Sequence, residues 1–362
     1  MNFKMIYKAF TNRNEKIPDG TRAVFGFLLG ITIMSLIANI FVVTDFDFYN
    51  MQRGVSTMIS GINPWAKDTR LDHFYNPPFS ILFLWPLVFL SPKSILILGG
   101  AMLFAVIFYK KAWVGFAWFA TNSFLKIISA GGIDMYVIGA GLLCLFVGDK
   151  FKDKNWSILL RVIGYGFLMV KPQGGLFIAA IYFLAKIDWK GLLASIIVYG
   201  LFFLPLYPDW IRVIITDSPL VYNDVSHSIW SQYGPLVAIP IALWVIASRN
   251  WEYWQLGGAL ACILSPYGMP GVPILLTVSA ARKWAAIPIF VIYSGCLAVL
   301  TWVSPPPEIE FYKFTNPMLS IYNLNIIAVA LLLAITHCGK EMMQNTPMSH
   351  ITYKLKQHLH FK

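Results

Sequence analysis

Charge is scarce in this chain. Asp, Glu, Lys and Arg make up 12% of its 362 residues, about half the share of an ordinary soluble domain. A water-facing surface of that size cannot be covered so thinly, which excludes an ordinary soluble enzyme. Cysteine is scarce too. The four present, Cys144, Cys262, Cys296 and Cys338, all lie in or at the end of apolar runs. None has metal-ligand spacing, so neither a metal site nor a disulfide framework is expected. No internal repeat divides the chain into two halves, as it does in many transporters. The short alternating segments of a membrane barrel are missing as well.

Long apolar runs fill the space instead. Hydrophobic residues make up 57% of the chain, and runs of this kind predict an all-α, polytopic integral membrane protein. The net charge of +11 sits in short loops between the runs. That pattern sets orientation in a bilayer and does not point to nucleic acid. Residues 1–22 form a basic segment expected in the cytosol, and Ala23–Val43 is expected as a first span of the uncleaved signal-anchor kind. Alternating spans through residues 23–337 give roughly 12 crossings with both termini cytosolic in a cell (inner) membrane. Within 79–109, Pro86, Pro92 and Lys93 predict a partial insertion followed by one crossing. Residues 112–128 are expected as one span, and 338–362 as a basic cytosolic tail. Of the 28 Lys and Arg residues, this threading places 20 inside and 7 outside, with Lys93 between.

Three polar loops fall outside in this layout: 44–78, 208–233 and 304–317. The first is the long polar segment around which the chain is organised. Asp45 and Asp47 sit at its membrane edge, where a carboxylate is costly unless it has a task. Lys126 and Asp134 flank a further outer turn, 128–132, and Lys171-Pro172-Gln173 sits at another. A lysine outside opposes the charge bias, so Lys171 calls for an anionic partner, with Asp134 one such acid. His227 lies in the second loop. A carboxylate can take a proton from an acceptor hydroxyl, and cations can stabilise a departing phosphate. A lipid-linked phosphosugar brings tail and phosphate to that interface. A lipid-linked-sugar transporter or flippase, or a non-catalytic subunit of a glycan assembly complex, would use some of the same features.

Four blocks then resemble a known family: Asp45-Phe46 with Gly61-Ile62-Asn63-Pro64-Trp65 and Tyr75-Asn76-Pro77-Pro78-Phe79; Gly131-Gly132-Ile133-Asp134; Lys171-Pro172-Gln173; and Leu264-Ser265-Pro266-Tyr267. In order and spacing they are similar to the glycosyltransferase 87 family, polyprenyl-phosphate-mannose-dependent mannosyltransferases of the GT-C membrane fold. That family usually has Gly-Gln-x-Asn where this chain has Gly131-Gly132-Ile133-Asp134. The resemblance implies inverting transfer of a hexose, mannose above all, from a polyprenyl-phosphate donor to a glycolipid or glycan hydroxyl outside the membrane. It implies Asp45 as general base with Asp47 in reserve. Lys171 and His227 would hold the donor phosphate, and Asn63, Tyr75, Asn76, Asp134 and Gln173 would line or shape the pocket. No metal or cofactor is demanded.

Overall fold

The computed structural model describes residues 17–40, 46–71, 74–129, 131–216, 228–248, 251–265 and 271–281, together with 288, 291 and 292. Every regular element among them is helical, as the composition requires.

Helix α1, Asp19–Ile40, turns Gly26, Gly30, Met34 and Ala38 inward at every fourth position. Its partner is α4, Pro92–Lys110; the short α2 and α3 between them are given below. A Cβ on Gly26 would come within 2.7 Å of the Phe108 Cβ, and one on Gly30 within 2.7 Å of the Ala101 Cα. Small residues at this spacing let two backbones approach closely. Arg22 donates to the carbonyl oxygens of Ile17 and Phe108, so the start of α1 lies beside the end of α4. The outward face of α1 carries exposed Val24, Leu28, Leu36 and Ile40.

Helix α2 spans Phe46–Ile59. A broken stretch, Pro78–Val88, holds one short α-helical turn, α3 (Ile81–Leu84), between two 3-10 turns. Ser91 caps α4, accepting from the Ser94 backbone N–H, and Pro92 occupies the first turn, where its missing donor costs nothing. The chain returns through a 3-10 run, Trp113–Ala120, and then α5, Asn122–Ser129. Helix α6, Ile133–Lys150, therefore runs parallel to α4: Gly99 meets Tyr136, Gly139 meets Met102, and Tyr109 stacks on Phe146. Helices α7, Ser157–Val170, and α8, Pro172–Lys186, follow as an antiparallel pair. Helix α9, Trp189–Ser195, continues as a π-helical stretch, Ile196–Phe203. Further described helices are α10 (Pro208–Thr216), α11 (Ile229–Tyr233), α12 (Pro235–Ser248), α13 (Tyr253–Leu264) and α14 (Gly271–Val278).

Two described helices, α1 and α4, are long and apolar enough to cross a membrane; five further apolar segments are shorter, Pro78–Val88 among them. Three expectations need correction. Residues 112–128 form no single span, because the helix breaks at Thr121, which leaves the helical backbone with φ −108° and ψ 156°. The loop 44–78 contains α2, whose Phe48, Met51, Val55 and Met58 are buried at helical spacing. The loop 208–233 contains α10 and, at its end, α11.

The bundle has two chemically distinct ends. One gathers the start of α1, the ends of α4, α6 and α8, and the start of α13. Among the described residues, three ion pairs join it: Lys110–Glu252 at 2.6 Å, Lys186–Asp149 at 3.0 Å and Arg161–Asp188 at 3.1 Å. The other gathers α2, the start of α6, the α7–α8 corner and α10.

Candidate functional site

The α7–α8 corner places the first candidate side chain. Helix α7 stops at Val170, and Pro172 opens α8. Between them Lys171 leaves the helical backbone, at φ −122° and ψ 81°, outside the α region that a following proline disfavours. Its ammonium lies 2.7 Å from the Asp134 carboxylate, and the lysine is buried. Asp134 stands in the first turn of α6, where the helix dipole also favours a negative charge.

Level with Lys171 sits the second group. The buried Asn76 side chain donates to the Val170 carbonyl at 2.9 Å, capturing one of the orphan acceptors at the end of α7. Residues 76, 134 and 171, far apart in sequence, thus meet at one end of the bundle. The turn before α6 packs nearby. Gly131 and Gly132 hold φ of 83° and 71°, a region that glycine enters freely. A Cβ on Gly131 would lie 2.9 Å from the Phe48 Cβ, so the second turn-forming block rests against the first turn of α2.

The segment after α2 is tied to α10. Asn63 donates to the Asp209 carboxylate at 3.0 Å and accepts from the Trp65 backbone N–H at 3.0 Å. Trp210 donates through its indole to the Tyr75 carbonyl, also at 3.0 Å. Trp65 donates to the Phe74 carbonyl and stacks on the Phe74 ring. Met58, Trp65, Phe74 and Val213 form a small apolar core separate from that of the bundle. The Asn63 side chain and the Tyr75 carbonyl therefore tie this segment to α10. Asn63→Ala should lower overall stability by about 1 kcal/mol and speed tryptic cleavage after the exposed Lys67 and Arg70, read as fragment appearance against time.

Other expected site residues divide between described and undescribed positions. Gln173 is half-buried in the first turn of α8. Position 47 lies on α2, next to Phe48; its side chain, like that of Lys126, is outside the described set. Asp45 and His227 also lie outside the described residues. The fourth block is represented by Ser265, whose carbonyl accepts from the Ser228 hydroxyl. Sequence reasoning did not find Asp209 and Trp210 as the loop's anchors. The signal was Pro208-Asp209, a helix-start pattern in a segment read as loop. No metal-binding group of three or more His, Cys, Asp or Glu side chains occurs among the described residues.

No family model matches this chain, and no curated protein or solved structure does either.

Proposed function

We propose that this chain is a membrane-embedded, GT-C-type glycosyltransferase with an extracytoplasmic site and a cytosolic Lys110 end. It would transfer a hexose, mannose by the family resemblance, with inversion from a polyprenyl-phosphate donor to an acceptor hydroxyl. The observation that carries the reading is the meeting of Asn76, Asp134 and Lys171 at one bundle end, since three of the four resembling blocks supply them. Membrane embedding is supported by the apolar exterior. Leu236, Leu243 and Trp244 on α12 stand exposed, as do Val24, Leu28 and Leu36 on α1, and soluble proteins rarely leave such surface uncovered.

The chemistry is a single displacement. Asp45 takes the acceptor proton, the acceptor oxygen attacks the anomeric carbon, and the bond from that carbon to the phosphate oxygen breaks. The leaving polyprenyl phosphate carries the new negative charge away against Lys171, with His227 as second cation. Asp134 holds the Lys171 ammonium in place before donor arrives. Lys171 and Asp134 lie at helix ends, whereas transporters place binding charges near the bilayer midplane.

The test uses the full chain in lipid nanodiscs with labelled polyprenyl-phosphate-mannose and membrane acceptors. Asp45→Asn should abolish labelled product while the variant remains folded and bilayer-inserted. Undiminished transfer by Asp45→Asn and by Asp47→Asn alike would remove the enzyme reading.

A further inference from the structure

The end of the bundle away from Lys171 carries charge that no part of the site uses. Two turns lie side by side there, the α6–α7 turn at residues 151–156 and the α8–α9 turn at 187–188. Lys186 pairs with Asp149, Tyr182 donates to the same carboxylate at 2.8 Å, and Arg161 pairs with Asp188. These internal contacts hold the turns together and consume the acids Asp149 and Asp188. Outside them Lys150, Lys152, Lys154 and Lys190 stand exposed, with Asp153 as the sole acid on the α6–α7 turn. None of these four lysines has an ion-pair partner among the described residues.

Aromatic side chains stand among the lysines. Trp156 is 49% exposed and Trp189 64%. The Trp156 ring lies 5.2 Å from that of Phe151, also exposed. Directly along the helices from this rim, Leu159, Leu184 and Leu193 are exposed as well. Exposed leucine, tryptophan and unneutralised lysine gathered at one helix-end rim are the chemistry met where a bilayer gives way to an anionic headgroup layer.

We propose that this rim is a binding surface for anionic phospholipid headgroups. The lysines supply charge complementarity, and the two indoles sit at headgroup depth. An acidic soluble protein would satisfy the lysines but would leave the tryptophans and the leucine wall unexplained. The proposal rests on the membrane-embedded part of the reading above and is independent of sugar transfer.

The experiment reconstitutes the full chain in vesicles of equal phosphatidylcholine and phosphatidylglycerol, extracts it gently, and counts retained lipids by native mass spectrometry. Wild type should retain phosphatidylglycerol in preference. Each Lys→Gln change at 150, 152, 154 or 190 should weaken retention by about fivefold, the effect of one cationic side chain near an anionic surface. The combined Lys→Arg variant should keep the preference, and raising salt should abolish it. Equal retention of the two lipids by wild type, or loss of preference in the Lys→Arg variant, overturns the proposal while leaving embedding intact. Failure of the chain to resist carbonate extraction from the vesicles overturns both. Preserved lipid preference in a chain without transferase activity supports this proposal and removes only the enzyme reading.

Discussion

Lys171→Met is expected to destabilise the protein by about 3 kcal/mol and, in the transferase proposed above, to lower sugar transfer by about 10²- to 10³-fold. Both effects have the same origin and can be separated. Asp134 is mostly shielded, with 27% of its side chain exposed, and Lys171 is its ion-pair partner among the described residues. Removing the ammonium leaves a carboxylate with neither full hydration nor a counter-charge. Adding Asp134→Asn to the same chain removes that carboxylate. The double variant should therefore recover most of the lost stability, because exchanging a shielded pair for neutral groups is often nearly neutral. In the proposed reaction it should recover none of the activity, because a departing phosphate would still lack its cation. Stability comes from denaturant midpoints in detergent, and activity from labelled-product yield. A double variant with near-normal transfer would reduce Lys171 to a structural residue.

Gly175→Ala should be among the most damaging small substitutions in the chain. Helices α7 and α8 fold back on each other so tightly that a Cβ at Gly175 would overlap the Leu168 carbonyl oxygen. Backbone cannot give way as a flexible side chain can, so the helices must part. The expected cost is about 3 kcal/mol, the upper part of the range for overpacking. Parting them also swings Lys171, which lies at their corner, away from Asp134, so transfer should fall further than the loss of folded protein explains. Gly174→Ala is the control. A Cβ there would lie 3.4 Å from Pro273 Cγ, an ordinary contact, and alanine in a helix gains about 0.5–1 kcal/mol over glycine. Equal midpoints for the two variants would contradict the packing described.

The sequence made the helical class legible because apolar runs of this length have few other solutions. It also made Lys171 stand out, since a lysine against the charge bias needs an anion. Its pairing with Asp134 depends on how far α6 slides along α7. That register is set by glycine contacts, Gly141 against the Gly164 carbonyl and Gly164 against the Gly141 carbonyl, which no one-dimensional pattern reveals. Helix α2 was readable in principle from Phe48, Met51, Val55 and Met58, but the polar residues between them gave the segment the look of a loop. The π-helical stretch Ile196–Phe203 left no trace at all. Its residues are uniformly apolar, so no periodicity distinguishes one helical winding from another.

The small core of Met58, Trp65, Phe74 and Val213 has a kinetic consequence. It buries far less surface than the bundle beneath it, and a patch that shallow opens on its own long before the whole molecule does. Deuterium should accordingly enter residues 61–71 and 208–216 together, at one shared rate, while α6 through α8 remain protected. In the transferase proposed above, an acceptor entering through that opening would turn over no faster than two tryptophans let go of their carbonyls.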